Sequence, residues 1–202
     1  MTHPEKPAPH EDIVTEVSVL HDSKTGEQFM ISRELSPRLI HQLIEKSKQP
    51  HIKHTCLGDS EERFVTPKSY EAWRKSGNGR RIYPLTDETG DLAGLIWYRP
   101  QPFTGTDILN PLTDPNHTFA IRMYEGTQGR KLAQPFMVET MHDYIDSLVA
   151  SGEIVTFNGI HLETDADNPR SIPLYEKVGF EEVSRDEKGR VTMVITPERI
   201  FG

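Results

Sequence analysis

The chain has 202 residues, 35% of them hydrophobic, which suits one domain that buries a proper core and excludes a disordered polymer. Its 31 acidic against 23 basic residues give a net charge of -8, which argues against a general nucleic-acid binder and favours, through long-range attraction, a cationic or amine substrate. The lone cysteine, Cys56, excludes an internal disulfide and suits a reducing compartment.

Residues 1–12 are polar and proline-rich and read as a flexible tail, not a signal peptide, ahead of one domain over 13–202. No apolar run approaches the roughly 20 residues that cross a bilayer. A cytoplasmic protein with no membrane and no nucleic-acid partner is expected. Ile13 to Leu20 and Gln28 to Leu35 read as strands joined at the turn signal Asp22–Gly26. The first of them is free to cover a sheet edge or to pair across a homodimer. Ser36-Pro37 opens a helix whose apolar face is Leu39, Ile40, Leu43 and Ile44.

Residues 49–66 read as irregular. His51, His54 and Cys56 invite a zinc reading, but no fourth ligand is near, so exposed loop residues and no metal are expected. Thr66-Pro67 starts a second helix carrying Tyr70 and Trp73, and Gly77-Asn78-Gly79 ends it. Arg81–Leu85 and Leu92–Tyr98 read as a hairpin. Pro100–Asn116 is long and turn-rich for a connection inside a compact domain, so it is expected to cover a site, with Phe103 as a lid or an anchor.

His117 to Met123 alternates, placing Phe119, Ile121 and Met123 on one face of a strand. Then comes the polar loop Tyr124-Glu-Gly-Thr-Gln-Gly-Arg-Lys-Leu-Ala133, and after it an amphipathic helix to about Ala150 with Pro135 near its start, where a bent first turn is expected. Strand, glycine-containing loop and helix present backbone N–H groups and a positive helix end to an anion such as a pyrophosphate, and Arg130 and Lys131 add charge. No nucleotide-binding P-loop pattern is present.

Ile160 to Asp165 alternates as a half-buried strand. Asn168-Pro169 ends it; Asn168 is expected to cap the next helix and Pro169 to fill its first position. Ile172, Leu174, Tyr175 and Val178 recur at helical spacing, Gly179 stops the helix, and Phe180 returns to a core. Glu181–Ser184 and Val191–Ile195 form a last hairpin.

The stretch Asn168-Pro-Arg-Ser171 followed by Leu174-Tyr-Glu-Lys-Val-Gly-Phe180 resembles the N-x-x-A…L-Y-x-K-x-G-F signature of the GNAT superfamily, the acyl-CoA-dependent N-acyltransferases. The loop with Gln128 and Ala133 resembles that family's [Q/R]-x-x-G-x-[G/A] pyrophosphate loop, in the right order, but Lys131 stands where the middle glycine is expected. The backbone amides do most of the holding, so cofactor binding is expected to survive. The resemblance implies a single-domain α/β GNAT fold: a mixed central sheet splayed between its fourth and fifth core strands, helices on both faces. It implies acetyl-CoA as co-substrate and direct attack by a primary amine, with a catalytically weak acyl-CoA-binding module as the rival. Met123, Tyr124, Gln128, Gly129, Arg130, Lys131, Leu132, Ala133, Asn168 and Ser171 would border coenzyme A, and Tyr175 would protonate the leaving thiolate. The base is open between Glu163, His117 and a water chain. The acceptor would meet residues 50–80 and 100–116; Tyr70 and Trp73 either line that site or pack in the core, and core packing is the favoured reading for each.

Overall fold

The computed structural model describes residues 15–56, 58–77, 79–103, 114–168 and 170–201. The expected tail, the middle of the 100–116 loop and Pro169 itself lie outside the described residues. Eight strands form one mixed sheet: β1 (Thr15–His21), β2 (Gln28–Arg33), β3 (Arg81–Asp87), β4 (Leu92–Pro100), β5 (His117–Met123), β6 (Ile160–Asp165), β7 (Glu181–Arg185) and β8 (Arg190–Ile195), in the order β1-β2-β3-β4-β5-β6-β8-β7.

Strand alternation sorts side chains onto two faces. Tyr83, Ile96, Tyr98 and Phe119 face α4 (Ala133–Ser151), whose Phe136, Met137, Met141, Tyr144, Ile145 and Leu148 fill that side of the core. Ile82, Leu95 and Trp97 face the other way, onto α1 (Pro37–Lys46), α2 (Pro50–Thr55) and α3 (Pro67–Ser76). Helices therefore cover both faces, as expected.

Local chemistry sets most boundaries. The Ser36 hydroxyl accepts the Leu39 N–H at the start of α1. Thr66 and Ser69 close a capping box at the start of α3. α4 begins at Ala133, so Pro135 is its third residue, where an N–H would have no intrahelical partner and none is lost. α5 (Ser171–Val178) starts two residues later than the sequence led us to expect, and Asn168 is not its cap; the Asn168 side chain instead accepts the Arg170 N–H, 3.3 Å away, in the turn before it. Gly179, at φ 109°, ends α5 as expected. The last residues form a short helix, α6 (Pro197–Phe201).

Residues 49–66 are not irregular. They form α2 and then a π-helical turn over Asp59–Arg63, held by the buried apolar anchors Ile52 and Phe64. The turn draws the Asp59 carboxylate inward to Arg122 on β5, with Nε to Oδ2 at 2.6 Å.

β5 and β6 are the only parallel neighbours in the described sheet, and they touch at His117↔Ile160 and Thr118↔His161 alone. Beyond those pairs the strands diverge. Gly159 sits just before β6 at φ 119°, and its own carbonyl holds the junction by accepting the His117 N–H. A β-carbon at Gly159 would lie 2.4 Å from the Ile195 carbonyl oxygen, so only glycine fits this approach.

Candidate active-site cleft

The divergence of β5 and β6 opens a cleft of about 540 Å³. One wall is β5, with Ile121, Arg122 and Met123; the other is β6, with Glu163, Thr164 and Asp165. The loop after β5 and the start of α4 close one end with Thr127, Gln128, Gly129, Lys131, Leu132 and Ala133. The turn and helix after β6 add Asn168, Ser171, Leu174 and Tyr175.

The loop is built to leave donors free. Gly129 has φ 78° and Lys131 has φ 60°, both left-handed. Lysine thus adopts the backbone conformation that glycine takes most readily. Thr127 ties the loop down, its hydroxyl donating to the carbonyls of Tyr124 at 2.7 Å and Ala93 at 3.1 Å. Among the described residues, the N–H groups of Gln128, Gly129, Lys131 and Leu132 make no hydrogen bond, and no side chain caps α4. Successive free N–H groups at a left-handed turn ahead of a helix form an anion-binding concavity.

Tyr175 lies half-buried on α5, its ring edge-on to Phe119 at 5.9 Å between centroids. Burial pushes its phenol up to about 12, so it holds its proton at neutral pH. Glu163 lines the cleft with an exposed carboxylate 3.1 Å from Arg190.

Three expected site residues stand elsewhere. Arg130 turns out of the cleft: its guanidinium pairs with Glu27 and Asp22 in the β1–β2 hairpin and lies over Phe29. Tyr124 is buried on the α1–α3 side, where alternation after Met123 carries it. His117 is packed against Tyr144 and Phe157 beneath α4, with Nδ1 2.8 Å from the Asn116 side-chain oxygen. Burial lowers its pKa to about 4. It is a structural histidine, not a base for the cleft.

Sequence reasoning missed several cleft residues, His51, Cys56 and Arg122 among them. His51, in the first turn of α2, and Cys56, at its C-terminal end, line the cleft, with His51 Nε2 3.2 Å from the Met123 carbonyl. Among the described residues no group of three potential metal ligands converges. Arg122 was legible only as the face of β5 opposite Ile121 and Met123; its partner Asp59 is far off in sequence. Burial alone would depress the Arg122 guanidinium, but Asp59 outweighs it and the shift is upward. The anticipated acceptor residue Trp73 borders a separate cavity beside the cleft, whereas Tyr70 is packed in the core. Phe103 is an anchor: it is buried against His161, 5.4 Å between ring centroids.

The whole arrangement of strands and helices has counterparts among solved structures. This is the GNAT fold. Spermidine N-acetyltransferase from Vibrio cholerae, solved with CoA and spermine, matches with a TM-score of 0.63 and 16% identity, over 86% of this chain and 98% of that one. The aminoglycoside acetyltransferase AAC(6')-Ib, solved with coenzyme A, matches with a TM-score of 0.60 and 16% identity, over 85% and 97%. The GNAT domain of S. lividans PAT matches with a TM-score of 0.57 and 14% identity, over 91% and 96%. No family model and no curated protein matches the sequence. In the GNAT frame, β5 and β6 are the fourth and fifth core strands, and β1 is an addition at the sheet edge. Among the described residues, no helix is long and apolar enough to cross a membrane.

Proposed function

We propose that this protein is an N-acetyltransferase that moves an acetyl group from acetyl-CoA to a primary amine by direct attack within a ternary complex. The observation that carries this reading is the cleft between β5 and β6, with free loop N–H groups at one wall and Tyr175 at the other. The fit with coenzyme A is chemical. The N–H groups of Gln128, Gly129, Lys131 and Leu132 suit a pyrophosphate, and Ile121, Leu132 and Leu174 offer apolar wall to a pantetheine arm. Asn168 and Ser171 lie on the opposite wall for its amide groups.

Acetyl-CoA supplies the activated acetyl group. A C–N bond forms as the C–S bond breaks, the amine loses one proton and the sulfur gains one. Glu163 takes the amine proton, directly or through water. Tyr175 is the hydroxyl in the cleft with a raised pKa, and its O–H is donated to the sulfur as negative charge develops there. Retention of the left-handed loop by Lys131 supports an open pyrophosphate site over a binding-defective relative of the fold. The free thiol Cys56 accords with work in the cytoplasm, and the edge strand β1 is where a homodimer would pair. Nothing in the reading needs nucleic acid or a membrane.

Calorimetry with coenzyme A, then thiol release from acetyl-CoA over a panel of amines, tests the reading. Tyr175→Phe should lower kcat at least tenfold, about 1.4 kcal/mol, while coenzyme A affinity stays within about threefold. Unchanged turnover would remove Tyr175 from the chemistry; absence of coenzyme A binding would remove the function.

A further inference from the structure

A second cavity, of about 350 Å³, opens on the α3 side of β4 and β5. It meets the cleft at Arg122, which lines both. Its wall holds Arg63, Arg80, Arg99 and Arg122 together with Trp73 and Trp97, and none of its lining residues is acidic. The protein's net charge is -8, so this concentration of cations runs against the rest of the molecule.

The charges are unevenly balanced. Asp59 answers Arg122 at 2.6 Å and Arg63 at 3.1 Å. Among the described residues Arg80 and Arg99 have no carboxylate partner. Arg80 donates to the Trp73 carbonyl and lies over the Trp73 ring, 4.0 Å from its centre, with Nε buried and unpartnered. Arg99 donates to the Gln101 side-chain oxygen. Burial, and then the neighbouring arginines, hold the Arg80 guanidinium down at about 10, and burial with Arg63 lowers Arg99. Crowding half-buried guanidinium groups together without a counter-charge is unfavourable, and an oxyanion that accepts their N–H groups offsets that.

We propose that this cavity receives the acceptor, and that the acceptor is a primary amine that also carries a carboxylate or phosphate group, bound by Arg80 and Arg99 while its amine reaches the cleft past Arg122. This rests on the acetyltransferase reading above and replaces the cationic substrate that net charge alone favours. Long-range charge governs encounter, but the groups within contact distance govern which substrate stays. Polyamines and aminoglycosides would meet four arginines here and be repelled.

Two measurements keep the inference separate from the reading it rests on. Both tryptophans of the chain border this cavity, so their fluorescence reports on it directly. With coenzyme A saturating the cleft, titration with acetate and with inorganic phosphate should give a saturable change, lost in Arg80→Gln and weakened in Arg99→Gln. In steady state, amino acids should exceed their amides in kcat/KM by at least tenfold, about 1.4 kcal/mol, or O-phosphoethanolamine should exceed ethanolamine by as much. The larger ratio says which oxyanion the site prefers. In Arg99→Gln the ratio should collapse through KM while coenzyme A affinity holds, which shows an intact fold. Coenzyme A binding with no anion response, or faster acetylation of spermidine than of any anionic amine, overturns the proposal. An anion response without coenzyme A binding supports the cavity and overturns the acetyltransferase reading instead.

Discussion

Replacing Lys131 with glycine separates backbone from side chain at the position where the loop departs from the GNAT pattern. Lys131 holds φ at 60°. A residue with a β-carbon there lies about 1–2 kcal/mol above its right-handed state, and glycine does not. Glycine's greater freedom in the unfolded chain offsets about 0.5–1 kcal/mol of that. Lys131→Gly should therefore be more stable by about 0.5–1 kcal/mol, which for a domain of this size raises Tm by about 1–4 °C. Lys131→Ala keeps the β-carbon and its strain, so its Tm should stay within about 1 °C. Scanning calorimetry without ligand reads both. A fall in Tm for the glycine variant, or an equal rise for alanine, would refute the argument from backbone strain. If the loop amides do the holding, both variants also keep coenzyme A affinity within about fivefold, because an exposed ion pair is worth only about 0–1 kcal/mol.

Two further predictions concern buried charge. His117 is lowered from its usual 6.5 to about 4 by burial, so the unfolded chain binds a proton that the folded protein refuses. Its contribution to stability is complete above about pH 6.5 and is lost as pH falls towards 4. Urea unfolding at pH 7.5 and 4.5 should differ by about 2–3 kcal/mol more in the wild type than in His117→Gln, and equal pH dependence would contradict this. Asp59 is 1% exposed and its carboxylate compensates Arg122, itself only 11% exposed. Asp59→Asn should cost about 3–5 kcal/mol in denaturant unfolding, and adding Arg122→Met should recover most of it; a loss under about 1 kcal/mol would mean that Arg122 is not buried as a charge.

The sequence by itself determined those parts of the molecule whose cause is local. Alternation marked the strands, Ser36, Thr66 and Gly179 marked helix ends, and the two motifs placed the anion loop and the tyrosine helix on either side of one cleft, because capping, pleat and glycine geometry act over a few residues. The sites that failed failed for the converse reason. Arg130 carries charge next to the loop, but the β1–β2 hairpin, about a hundred residues away, holds its guanidinium outside. His117 begins the right strand, but it lies at the end where β5 and β6 still pair, packed against Tyr144 beneath α4 and away from the opening. The π-helical turn and the Asp59–Arg122 pair exist because two segments far apart in the chain meet at β5, and no local pattern encodes that meeting. The same holds for charge. Composition gives one net value, while Arg63, Arg80, Arg99 and Arg122 come from four separate elements or connections. Only tertiary packing, with Trp73 of α3 against Trp97 of β4, gathers them around one cavity.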